Sequence, residues 1–186
     1  GRNKLDGYNT KMLITYVNKA FDQTWRVGVF HNLCERGVTG NILEVMWKIN
    51  SDIFARIKID EKNASEPFSV EESIRQGSGL SAICYSQHVA KCVEEIEKTK
   101  RGTKIGNVRI PAVTWQDDMT VMIGDKTEEK ELTSKLIEST KENRIILSKN
   151  KCKTLTIGNK KDTYSKTFLN KIKLEVNEAK ILGLTF

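Results

Sequence analysis

Between Ala112 and Gly124 the chain reads AVTWQDDMTVMIG, and the adjacent carboxylates Asp117 and Asp118 limit its possible folds more than any other feature. Two apolar runs flank them, so the sequence predicts two short strands, IPAVTW and MTVMIG, joined through Gln116-Asp117-Asp118. Like charges this close repel and must be screened. A hard divalent cation, which is usually held by one or two carboxylates plus substrate phosphates, removes that cost. On the dipeptide alone a polar hairpin turn is the simpler reading. The flanking apolar strands favour a rigidly held pair of acids, which is half of a metal site.

The rest of the chain supplies a frame for that hairpin. MLITYV (12–17) reads as a buried strand. Residues 22–36 and 39–50 carry apolar spacings of three and four and read as amphipathic helices separated by Gly37 and Gly40. IFARIKID (53–60) alternates like a strand with one wet face, and EPFSV (66–70) pairs with it across Lys62-Asn63-Ala64. The loop IRQGSGLS leads into a long helix, LSAICYSQHVAKCVEEIEK, with Ser78 or Ser81 as its cap. TEEKELTSKLIESTKENRIIL is a helix capped by Thr127, with acids in its first turn. KTLTIG (153–158), KIKLEV (171–176) and KILGLTF (180–186) read as strands. The order predicts an α+β fold, an antiparallel sheet with helices packed on one face, preceded by a flexible tail over residues 1–10.

Composition narrows the partners. The 186 residues carry a net charge of +7, which favours polyanions such as RNA or DNA over a generic basic surface. Eight lysines and a single acid, Asp162, lie between Lys149 and Lys173, either a solvated loop or a strip that faces phosphates. No apolar run approaches a membrane span, and the polar start GRNKLDGYNT is unlike a signal peptide, so an intracellular protein without membrane association is expected, nuclear or cytoplasmic. The four cysteines, at 34, 84, 92 and 152, form no C-x-x-C pair and read as reduced thiols rather than zinc ligands.

Taken together, these segments resemble the reverse transcriptases of non-LTR retroelements. AVTWQDDMTVMIG is similar to their aromatic-x-Asp-Asp hairpin, motif C, and IRQGSGLSA to the loop and helix of motif B. YVNKAFDQTW is similar to motif A, Asp-x-x-x-Ala-Phe-Asp-x-x-Trp, while SKNKCKTLTIG and KILGLTF fall where motifs D and E belong. The resemblance covers residues 11–186 and implies a right-hand polymerase palm, with residues 26–72 as a partial fingers insertion between motifs A and B. It further implies that Asp117 and Asp118 bind Mg²⁺, and that Phe21 is the gate against a ribose 2′-hydroxyl. Arg75, Gln76 and Gly77 would line the template and nucleotide pocket. Lys151 or Lys153 would approach the triphosphate, and Leu182 and Gly183 would form the primer grip.

Departures from the pattern carry as much information. Counting back from Ala20-Phe21, the metal-bridging aspartate of motif A should stand at position 16, which is Tyr16. A neutral phenol does not replace a bridging carboxylate at neutral pH. Asp22 lies past the strand and is expected to cap the next helix. Ala82 stands where motif B usually has proline, and Trp115 replaces the usual Tyr or Phe, with packing its expected role. Little precedes motif A and nothing follows motif E, so fingers segments and a thumb are expected to be missing. Three functions stay open: a catalytically silent, retroelement-derived module that binds nucleic acid or serves as a scaffold, a part of an RNA-directed DNA polymerase, and a purely structural protein. Mg²⁺ is the cofactor if any metal is bound, and a protein partner or self-association is a further expectation.

Overall fold

A computed structural model describes residues 10–158 and the backbone of three short strands beyond them; Leu182 and Gly183 lie outside the described residues. The first strand, β1 (Thr10–Tyr16), precedes two helices, α1 (Arg26–Glu35) and α2 (Gly40–Asn50). A small pair, β2 (Phe54–Ala55) and β3 (Phe68–Ser69), leads to the long helix α3 (Gly79–Glu97). Then come β4 (Thr103–Ile105), β5 (Val108–Ile110), β6 (Ala112–Trp115), β7 (Asp118–Ile123), α4 (Lys126–Glu142) and β8 (Lys153–Ile157). The last strands are β9 (Glu175–Val176), β10 (Lys180–Ile181) and β11 (Leu184–Thr185). The chain forms two compact units, Gly1–Asn18 with Val89–Phe186 and, separately, Lys19–His88.

The first unit is built on a five-stranded sheet in the order β6-β7-β1-β8-β9. All its pairings are antiparallel except β8 with β9, which is parallel. Strand alternation sorts its residues into two faces. Leu13, Thr15, Met119, Val121, Ile123 and Ala112 share one face and are all buried. Helix α4 packs against β7, and Leu132 and Leu136 on it are fully buried. The opposite face carries Met12, Ile14, Tyr16, Asp118, Leu155 and Ile157, where Ile14 and Leu155 make a small apolar cluster with Met12, Tyr16 and Ile157 packed on it.

Two acids of the first turn of α4 hold this unit together. Glu129 takes an ion pair from Lys11 at 2.5 Å, with the lysine side chain only 4% exposed. Glu128 accepts the Gly102 N–H at 3.1 Å and pairs with Arg109 at 3.2 Å, and Arg109 also donates to the Gly102 carbonyl. Gly102 sits at φ +106°, and a Cβ there would collide with the backbone of Ile110 and Pro111. The helix cap is Asp125 rather than Thr127, whose N–H and hydroxyl both donate to the Asp125 carboxylate. A carboxylate one residue before the helix reaches the free N–H groups that Thr127, already inside the first turn, cannot.

The second unit differs most from expectation. IFARIKID is not a continuous strand: only Phe54 and Ala55 pair with β3, and one isolated bridge joins Lys58 to Ala64. Asp60 ends the run by accepting the N–H groups of Lys62 and Asn63, a local turn that competes with strand pairing. Ile57 and Ile59 are 63% and 69% exposed, so the alternation has no buried face to reward it. Helix α1 begins at Arg26 with Trp25 at its cap and no side-chain cap bond; Asp22 lies in the turn before it and does not cap it. Arg26 is buried and donates to the carbonyls of Ser73 and Val70, tying the chain after β3 to α1. Asn32 and His88, both buried, lie 3.1 Å apart through Nδ2 and Nδ1.

Candidate functional site

The expected strand IPAVTW breaks at Pro111, which separates β5 from β6. Pro111 lacks an N–H, but its carbonyl still accepts from Met122 at 2.7 Å. The preceding hairpin, β4 to β5, was not expected; its signal is Gly106-Asn107 between two short alternating segments, with Gly106 at φ +59°. The next hairpin, β6 to β7, pairs Trp115 with Asp118 across a two-residue turn of Gln116 and Asp117. Gln116 takes up the left-handed conformation, φ +53°, that such turns require. The Thr114 hydroxyl donates to the Asp118 carbonyl at 3.1 Å, and the Val17 N–H donates to the Asp117 carbonyl at 3.1 Å. The turn is thereby anchored to β1.

On β1, Tyr16 is the direct register partner of Asp118. Trp115, Asp118 and Tyr16 form one row across three adjacent strands, a span of about 10 Å at ordinary strand spacing. Burial raises the Asp118 carboxyl pKa, and the neighbouring Asp117 raises it further. Burial also raises the Tyr16 phenol pKa, followed by the charges of Asp118 and Asp117 and a smaller effect of Cys152. Tyr16 is thus a protonated phenol throughout the neutral range, facing two carboxylates. Cys152 is fully buried beside it, its thiol pKa raised by that burial. All four cysteines are free, and burial pushes the Cys92 thiol up to about 12.

This donor set tests the expected Mg²⁺. Two carboxylates on one hairpin suit a single hard cation completed by water or phosphate oxygens. A pair of bridged cations needs a further carboxylate. Among the described residues no group of three or more Asp, Glu, His or Cys side chains converges. The described residues therefore do not fit a two-cation centre.

Other expected site residues fall in different places. Lys153 is exposed on β8 opposite Ile14, so it shares the sheet face of Tyr16 and Asp118. Lys151 is exposed in the turn before β8, where the N–H groups of Lys151 and Cys152 donate to the Ser148 carbonyl. Ser148 in turn donates its N–H to the Tyr16 carbonyl at 2.7 Å, which sets that turn beside β1. Phe21, Arg75, Gln76 and Gly77 belong to the second unit. There Phe21 is half-buried with its ring 5.1 Å from Tyr85, and its carbonyl accepts the Ile74 N–H. Arg75, Gln76 and Gly77 are exposed in the loop that enters α3, with Gly77 at φ +88° and Ser78 contributing its carbonyl to the first turn. Trp115 does not have the expected packing role: it is 63% exposed at the end of β6, an edge strand of the sheet among the described residues.

No helix among the described residues is long and apolar enough to cross a membrane. The sequence matches the family described as reverse transcriptase (RNA-dependent DNA polymerase) over residues 3–186. No curated protein sequence matches it significantly. Solved structures with a similar fold include telomerase from Candida albicans in complex with a TWJ fragment of telomeric RNA. The TM-score is 0.66 at 15% identity, over 95% of this chain and 29% of that one. Telomerase from Candida tropicalis in complex with such a fragment gives 0.63 at 15% identity, over 87% of this chain and 28% of that one. Apo telomerase from Candida tropicalis, truncated from the C-terminal domain, gives 0.62 at 16% identity, over 93% and 36%. The chain spans about a third of the length of these structures. They show a palm-like fold, and the match along nearly the whole sequence establishes that the chain belongs to the reverse transcriptase family.

Proposed function

We propose that this domain is a retroelement-derived reverse transcriptase palm of non-LTR type that has lost nucleotide transfer and serves as a nucleic-acid-binding or scaffold module. The observation that carries this reading is the register pair Tyr16–Asp118: a protonated phenol stands beside the two carboxylates, where a third metal-bridging carboxylate is needed. In this reading Asp117 and Asp118 are a remnant that holds at most one Mg²⁺, weakly. Residues 26–72 act as a partial fingers insertion, and Phe21, Arg75, Gln76 and Gly77 keep the places of a nucleotide and template pocket. Lys151 and Lys153 keep the phosphate-facing role, and Leu182 with Gly183 the primer grip. The net charge of +7 and the RNA held by two of the similar telomerase structures support RNA as the partner. Primer extension on an RNA template, with Mg²⁺ or Mn²⁺, tests the loss of chemistry. No product is expected, and sustained extension would overturn the reading.

A further inference from the structure

Helix α2 carries two stripes at helical spacing, and only one of them is covered. Leu43, Met46, Trp47 and Asn50 form the first. The helix packs against α1, where the Trp47 ring meets Phe30 edge-on at 5.0 Å. Leu43 and Met46 are half-buried, and Asn50 is 1% exposed. Ile42, Val45 and Ile49 form the second stripe, at spacings of three and four residues, and are 67%, 55% and 48% exposed. Eight of the sixteen exposed large apolar side chains among the described residues fall between Ile42 and Phe68. Apolar surface concentrated in this way marks an interaction site.

We propose that the stripe of Ile42, Val45 and Ile49 is the seam of a homodimer, in which α2 lies antiparallel to α2 of a second copy about a twofold axis. The charges on the helix select that partner. Glu44 and Lys48 are the two charged residues of α2 and pair with each other at 2.6 Å, so the helix is neutral in a chain of net charge +7. A strongly acidic or basic partner finds no opposite field there to dock on, and a second neutral apolar face needs none. The same two charges set the direction. A twofold axis between Val45 and Met46 brings Ile42 level with the second copy's Ile49, and it brings Glu44 within one residue, about 1.5 Å of rise, of the second copy's Lys48. A parallel pair would instead set Glu44 beside Glu44 and Lys48 beside Lys48. A helix of 11 residues offers less area than a standard interface, so the dimer is weak, with a Kd on the order of 10–100 μM. This contact is independent of Asp117, Asp118 and nucleic-acid binding.

Sedimentation equilibrium of the full chain, at loading concentrations spanning that Kd and at low and high salt, tests the dimer. A reversible monomer–dimer equilibrium is expected, tighter at high salt because two chains of like net charge repel and salt screens the repulsion. The triple variant Ile42→Gln/Val45→Gln/Ile49→Gln is expected to dimerise about tenfold or more weakly. Glu44→Lys is expected to weaken the dimer several-fold, and Glu44→Lys/Lys48→Glu to restore it. Ile57→Gln/Ile59→Gln, exposed but off the helix, is expected to dimerise within about twofold of wild type. All these side chains are exposed, and circular dichroism of each variant checks that the fold is kept. A chain that stays monomeric throughout overturns the dimer and leaves α2 to a different protein. A dimer that survives the triple change within twofold, or that Ile57→Gln/Ile59→Gln abolishes, overturns the surface. Equal dimerisation by wild type and Glu44→Lys overturns the antiparallel arrangement. A dimer that weakens as salt rises overturns its apolar basis, and assemblies larger than a dimer overturn the twofold.

Discussion

Tyr16 on β1 and Asp118 on β7 face each other directly in an antiparallel ladder, with Asp117 in the adjoining turn. The pair sets a neutral phenol opposite a carboxyl whose pKa lies above its ordinary 3.8, first through burial and then through Asp117. Folding therefore favours the neutral acid. That contribution is fully present below the unfolded value and is lost as pH rises through the folded one. In EDTA at pH 7, Asp118→Asn is expected to raise Tm by roughly 1–4 °C, since 1 kcal/mol is worth about 2–4 °C in a chain of this size. The difference should shrink toward zero as pH falls below the ordinary carboxyl range. Thermal melts of both proteins between neutral and acidic pH check this; an Asn variant less stable than wild type at pH 7 would refute it.

Restoring a carboxylate at position 16 reverses the logic. Tyr16→Asp places a third acid beside Asp117 and Asp118 and removes a ring that packs on Ile14 and Leu155. In EDTA the variant should melt several degrees below wild type. Added Mn²⁺ should recover part of that loss in a concentration-dependent way, because a ligand bound only by the folded state stabilises it. The wild-type melt should barely respond. Equal Mn²⁺ responses in the two proteins would show that Tyr16 does not control cation binding.

The buried pair Lys11–Glu129 should be costly to break on one side only. Lys11→Met leaves the Glu129 charge buried and should destabilise by about 3–5 kcal/mol. The double variant Lys11→Met/Glu129→Leu should recover most of this, since replacing both charges removes the desolvation cost with the attraction. Urea unfolding of wild type, the two single variants and the double variant gives the coupling.

Gly102→Ala should be among the most damaging single changes in the first unit. The residue sits at φ +106°, and its Cβ would meet the backbone of Ile110 and Pro111, which cannot swing away. Its N–H and carbonyl also bind Glu128 and Arg109, so a shift breaks that network as well. A loss of about 3 kcal/mol or more is expected, from strain and lost hydrogen bonds together. Soluble yield and urea midpoint measure it; a midpoint near wild type would mean that the β4–β5 hairpin yields easily.

Read alone, the sequence places MLITYV, MTVMIG and KTLTIG as strands, the long helices, and the hairpin that presents Asp117 and Asp118. Those features rest on apolar periodicity and on turn residues, which act within a few positions and are strong where both neighbours are buried. Tertiary structure alone decided what the partners across the chain would be. Lys11 finds Glu129 at a separation of 118 residues, and the first-turn acids of α4 serve as buried anchors rather than as surface charges near a helix end. It exposed Trp115, because the hairpin holding it lies at the sheet edge, and it left IFARIKID mostly unpaired, because alternation without a sheet to cover has nothing to bury. The same physics separates the two levels: local pattern states which face of a segment is apolar, and only packing states what that face meets.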